Sequence, residues 1–133
     1  MARRLLLPLL VAACGCGREP ARVVVRGDVT YRGRPVADGE VRFFPTAGTA
    51  APMGGAVIRD GKYAATARGG LRPGTYRVEV TAAGRAAAAG DVQQGDGAQY
   101  LPARFNAAST LVLHVPDVPG PLTHDLHLTD RAP

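Results

Sequence analysis

IRDGKYAATARGGLRPGTYRVEV, Ile58 to Val80, holds two tight turns and three strand-like runs within about one hairpin's length of each other. Asp60-Gly61 is a strong hairpin signal, because a type I′ turn needs positive φ at both central residues and Asp followed by Gly tolerates that. Pro73-Gly74 predicts a second turn, of type II, with Pro presetting φ at the first central position and Gly supplying the positive φ of the next. After it Tyr76, Val78 and Val80 alternate with Arg77 and Glu79, the period of a half-buried strand.

Working outward, the same alternation recurs. Val23 to Tyr31 places Val23, Val25, Gly27, Val29 and Tyr31 on one face. Gly33-Arg34-Pro35 and Asp38-Gly39 are turn chemistry, and Glu40 to Phe44 follows with Val41 and Phe43 inward and Phe44 outward. Gly55 to Arg59 and Lys62 to Ala67 flank the Asp60-Gly61 turn, setting Arg59 opposite Lys62 with Asp60 beside them. Downstream, Ala82 to Gly97 is Ala- and Gly-rich and reads as a long loop, since four alanines do not repay helix nucleation. Thr110 to Val115 and Leu122 to Leu128 complete the set, with His114, Asp125 and His127 on outward positions and His124 at the margin of the core. Seven short strands, frequent turn signals and no helical period predict an all-β, seven-stranded antiparallel β-sandwich with Greek-key connections. The expected core is Val25, Val29, Tyr31, Val41, Phe43, Ile58, Tyr63, Leu71, Tyr76, Val78, Val80, Leu111, Leu113, Val115, Leu126 and Leu128.

The chain has 133 residues, room for one domain, and its first 13 read as an export signal: Arg3 and Arg4, an apolar Leu5 to Leu10, then Ala12-Ala13. Leu5 to Ala13 would span roughly 13 Å as a helix, too short for a hydrocarbon core of about 30 Å. Val11-Ala12-Ala13-Cys14 resembles the lipobox of bacterial lipoproteins, which implies that Cys14 is diacylated through sulfur and becomes the new N-terminus. Cys16 is the alternative, with a poorer match before it. Gly15 after the Cys is similar to the outer-membrane sorting default of Gram-negative lipoproteins. The expected organisation is a signal peptide at 1–13, a lipidated Cys and polar tether at 14–22, and a domain at 23–130. Removing Met1 to Ala13 takes away two arginines and no acid, so the formal charge of +5 falls to +3. The remaining arginines are interspersed with acids and lack interleaved aromatics, which argues against nucleic acid as a partner.

The order Gly27-x-Val-x-Tyr31-x-Gly33-x-Pro35-Val36, Gly39-x-Val-x-Phe43-x-Pro45, Asp60-Gly61-x-Tyr63 and Leu71-x-Pro73-Gly74-x-Tyr76-x-Val78-x-Val80 resembles the carboxypeptidase regulatory-like, or transthyretin-like, sandwich. It is closer still to the small bacterial lipoproteins that consist of little else. Phe105-Asn106 with Ser109-Thr110-Leu111 matches their penultimate strand, and Asp125-Leu126-His127-Leu128 their alternating end, with His127 where an acid is common. The resemblance implies a non-enzymatic accessory or interaction module.

Reaction chemistry is sparsely represented. The related hydroxyisourate hydrolases end in Tyr-Arg-Gly-Ser, whereas this chain ends Asp130-Arg131-Ala132-Pro133 and carries Tyr31-Arg32-Gly33 near its start, followed by Arg34. Ser109 is the sole serine, and no phosphate-binding or calcium-binding loop is present in the sequence. The one metal-ligating set to consider is His114, Asp125 and His127, if neighbouring strands bring them together on an outer face. No cofactor is expected. The sequence therefore leads to an envelope lipoprotein, anchored at the outer membrane or periplasmic face, that touches a protein or glycan partner. The alternative is a carbohydrate- or peptide-binding module using a sheet edge, or the loops Ala47 to Met53 and Ala82 to Gln99, with Phe44 and Tyr100 as stacking aromatics.

Overall fold

A computed structural model describes residues 15, 17–84 and 99–130. The expected signal peptide, Cys14, Cys16 and nearly all of the Ala/Gly-rich stretch lie outside the described residues. The strands are β1 (Val25–Tyr31), β2 (Arg34–Pro35), β3 (Asp38–Pro45), β4 (Gly54–Arg59), β5 (Lys62–Ala65), β6 (Gly74–Ala83), β7 (Leu111–Val115), β8 (Leu122–Thr123) and β9 (Leu126–Leu128). Short 3-10 turns occupy Ala67–Gly69 and Ala103–Phe105. Seven strands follow one hydrogen-bonded path, β2-β1-β5-β4-β3-β6-β7, and β8 and β9 pair with β1. The result is an all-β, strongly curled antiparallel sheet, a half-barrel. Alternation predicts two sheets face to face; the pairing defines one curled path, which narrows to the single pair Arg59–Lys62 between β4 and β5.

The turn at the centre of the sequence forms as its chemistry dictates. Asp60 and Gly61 have φ of 50° and 74°, the pair of positive values that a type I′ turn requires. Arg59 faces Lys62 across it. Lys62 is balanced by Asp28 of β1, 2.7 Å away, rather than by the adjacent Asp60, because register places Asp28 directly opposite Lys62. The turn between β1 and β2 is centred one residue earlier than Gly33-Arg34-Pro35 suggests: Arg32 and Gly33 take φ of 51° and 75°. Pro73-Gly74 departs from a type II turn, since Gly74 sits at φ 146° and already opens β6. Thr49 packs against this point, its hydroxyl accepting from the Thr75 amide at 2.9 Å and its side chain leaving no room for one at Gly74.

Inward residues meet in one cluster. Val41 of β3 lies opposite Val80 of β6 and Ala56 of β4, Phe43 opposite Val78, and Leu113 of β7 opposite Tyr76. All sixteen expected core residues are buried except Tyr31 and Leu111, which are half-buried against the cluster. Val23, Val36, Ala56, Ala65, Ala82, Leu101 and Phe105 join them. Ala82 and Ala83 belong to β6, so the expected loop begins later than Ala82. Tyr76 places its ring in the core and donates its hydroxyl to the Arg72 carbonyl at 2.8 Å, tying the entry to β6 onto the strand itself.

The final expected strand, Leu122 to Leu128, is broken in two, and both halves run parallel to β1. At the break His124 and Asp125 approach Gly27 so closely that a β-carbon there would lie 2.2 Å from the His124 carbonyl oxygen. That oxygen accepts from the Tyr63 hydroxyl at 2.6 Å, and the Asp125 carboxylate accepts from the Asp28 amide at 2.9 Å. A side-chain acceptor thus substitutes for a ladder carbonyl where the strand leaves the sheet.

Candidate functional site

The two rims of the sheet differ. At one, β8 and β9 are two and three residues long, interrupted at His124-Asp125 and preceded by Pro119 and Pro121, features that blunt an edge against further pairing. At the other, β7 is an unbroken five-residue strand that pairs on one side, with β6. Among the described residues no strand covers its second side. Val112, 60% exposed, and His114 point outward from it, while Leu113 and Val115 are held in the core. The inner residues fix the strand rigidly, so its open backbone groups are presented in extended, pre-ordered form.

Further along β6, beyond the stretch from Gly74 to Val78 that pairs with β7, a groove of about 710 Å³ runs over the outer face of β4, β3 and β6. Val57, 58% exposed, gives it an apolar patch, and Asp38, Glu40, Glu79 and Arg59 give it charge. Glu40 pairs with Arg42 at 2.9 Å and Glu79 with Arg77 at 2.6 Å. Gln99, Asn106 and Ala107 form the further wall. Gln99 is fixed by accepting from the Ala82 and Leu101 amides, both at 2.9 Å, which sews the chain after the undescribed stretch back onto β6. No His or Cys lines the groove, and two of its three carboxylates, Glu40 and Glu79, are engaged with arginines. Its chemistry is that of recognition by shape and charge.

The structure does not bring His114, Asp125 and His127 together. His114 contacts the Thr75 hydroxyl at 3.2 Å on the β6–β7 rim, and His127 the Thr30 hydroxyl at 3.0 Å on the β1–β9 rim. Asp125 is occupied by the Asp28 amide. Among the described residues no group of three His, Cys, Asp or Glu is placed to hold a metal. Alternation locates these residues on outer faces but says nothing about which strands are neighbours; β7 ends the path, whereas β9 lies off it, paired with β1 near the other end. The stacking aromatics are also engaged: the Arg77 guanidinium lies 5.0 Å over Phe44, and half-buried Tyr100 packs on Tyr31 with ring centroids 6.2 Å apart. The Ala47 to Met53 loop is pinned at its near end through Thr46 and Thr49, both donating to the Thr75 carbonyl.

A third cluster carries no signal in the sequence. Asp130 accepts from the Tyr31 hydroxyl at 2.8 Å, from Arg32, and from Arg104 at 3.2 Å. The hydrogen bond from Tyr31 and the two nearby guanidinium groups hold the Asp130 carboxyl below its ordinary value, while partial burial raises the Tyr31 phenol. The residues come from β1, the loop before β7 and the end of the described chain, so the cluster acts as a clasp. No helix among the described residues is long and apolar enough to cross a membrane.

No family model, curated protein or solved structure matches the chain.

Proposed function

We propose that this protein is a non-catalytic envelope lipoprotein, held by acyl chains on Cys14, whose β-domain captures a protein partner by adding a strand along β7. The observation that carries the capture is the asymmetry of the rims: one is interrupted and blunted, the other continuous and open, with Val112 exposed on it. Capture by strand addition takes its affinity from backbone hydrogen bonds and its specificity from the side chains alternating along the added strand. The groove past the Val78–Leu111 end of that pairing, with Val57, Asp38 and the arginine-paired Glu40 and Glu79, would read side chains of a partner segment that runs on beyond β7. Anchoring rests on Val11-Ala12-Ala13-Cys14 behind an apolar run, and two acyl chains suffice for stable membrane attachment. The fold we assign is a curled variant of the transthyretin-like sandwich. Its support is the motif order together with the spatial order β6-β3-β4-β5, in which three successive strands are followed by one that returns beside the first. The occupied faces of Phe44 and Tyr100 favour protein over glycan as the partner.

The test is photo-crosslinking from position 112 in the native envelope, followed by mass spectrometry. The expected result is a crosslink to an extended segment of one envelope protein, with a diacylglyceryl mass on Cys14. Crosslinks from position 57 or 112 only to glycan would make the carbohydrate reading the correct one. An intact Met1 in the aqueous phase of a detergent partition would refute the anchor.

A further inference from the structure

At the pole of the sheet where the chain enters, a second cavity of about 260 Å³ lies between the start of β4, the end of β5 and the Ala67–Gly69 turn. Arg22, Arg68 and Arg72 all line it, and no carboxylate does. Each of the three lacks an acidic partner among the described residues, although Arg32, Arg42, Arg77 and Arg104 elsewhere all have one. Concentrating three cations without a counter-charge is unfavourable by itself, and an anion that enters relieves it. Arg68 is held at φ 55°, a costly conformation for a side-chain-bearing residue, by bonds from the Gly69 amide to Thr66 and the Gly70 amide to Ala67. The Gly70 site admits no side chain either, because a β-carbon would lie 2.3 Å from the Val23 carbonyl oxygen. The cavity holds roughly eight waters at about 30 Å³ each, enough for a phosphate and its first ester carbons. Pro52, Met53 and Leu71 supply an apolar rim, with Met53 58% exposed.

We propose that this pocket binds a phosphate ester. Guanidinium groups engage phosphate oxygens through paired N–H donors, and three of them around one cavity can satisfy both non-bridging oxygens. The source we infer is a phospholipid headgroup, which rests on the anchoring at Cys14; the phosphate chemistry does not. Arg22 lies eight residues after Cys14, a reach of at most about 29 Å, so an anchored domain keeps this pole at the bilayer surface. β7 and the distal groove then project along and away from it.

The experiment uses the full chain purified from its host in detergent, followed by the backbone amide signals of Gly69, Gly70 and Leu71. Glycerol 3-phosphate at constant ionic strength should shift them along a saturating curve, with chloride alone giving no such curve. Nanodiscs containing phosphatidylglycerol should shift the same amides where pure phosphatidylcholine discs do not. Arg68→Gln and Arg72→Gln should each weaken binding about tenfold, the loss expected for one charge-assisted hydrogen bond. Saturation by glycerol 3-phosphate without a response to phosphatidylglycerol would overturn the lipid source and leave a site for a soluble phosphate ester. No saturable response to either would overturn the site. A Cys14 mass without lipid would refute the anchor, and the glycerol 3-phosphate titration would still decide the pocket.

Discussion

Gly27 is the residue on which the end of the chain depends. With the His124 carbonyl 2.2 Å from where its β-carbon would be, Gly27→Ala must push β8 and β9 from β1. We expect a loss of about 1–3 kcal/mol in chemical denaturation, against almost none for Gly17→Ala, where the space is open. Tyr76→Phe keeps the ring and removes only the bond to Arg72, so about 0.5–1.5 kcal/mol is expected. His124 sets a pH dependence. Burial lowers its imidazole below the ordinary value of 6.5, with Asp125 opposing. The unfolded chain therefore takes up the proton first as pH falls. Stability is full above about 6.5 and declines as the pH drops from there toward the depressed folded value. His124→Gln, which leaves the backbone carbonyl for Tyr63 in place, should remove that step from a series of melting curves. Protonation of Asp130 produces a separate loss at lower pH, beginning near the ordinary carboxylate range.

Among the elements, β7 is the one on which the proposed capture depends, and β9 is the surprise. Val112→Glu places a charge on the open rim opposite Arg77, a favourable cross-strand pair, so the fold should hold while crosslinking and capture from the envelope are lost. Retained capture by this variant would remove β7 from the recognition surface. Asp60-Gly61, the alternation of β3 and β6, and the inward row Tyr76, Val78 and Val80 were legible because period two and turn dihedrals are local properties. The division of Leu122 to Leu128 and its parallel pairing were not, since both are imposed by a strand almost a hundred residues away. Ala56, Ala65 and Ala82 are buried where large neighbours leave little room, and small side chains do not announce burial. Leu101 and Phe105 belong to irregular backbone with no period to betray them. Ser109 is buried because its hydroxyl satisfies the Val78 carbonyl, a partner that only the folded chain supplies.

For the whole molecule, the two poles differ. One, where Val23 leads into β1, gathers Arg22, Arg68 and Arg72, which have no acidic partner among the described residues; the other carries the clasp at Asp130 and lies near the groove beside β6. The candidate site was only partly readable for the same reason. Outward residues such as His114 and His127 were assigned to the correct face, but a face is not a place, and the curl of the sheet decides which of them meet. The arginines at positions 22, 68 and 72 look like scattered charge in the sequence, and converge because Val23 bridges to Leu71.

That β1 is completed by β9 has a consequence for timing. Residues 29–31 leave the ribosome well before the partners they need, 126–128, which lie 97 residues further along the chain. Until those residues are made, β1 has an empty flank, and closing it requires looping the whole intervening stretch, a slow step. For the export we propose, a chain whose first strand cannot be completed until then reaches a secretion channel with that strand still unlocked.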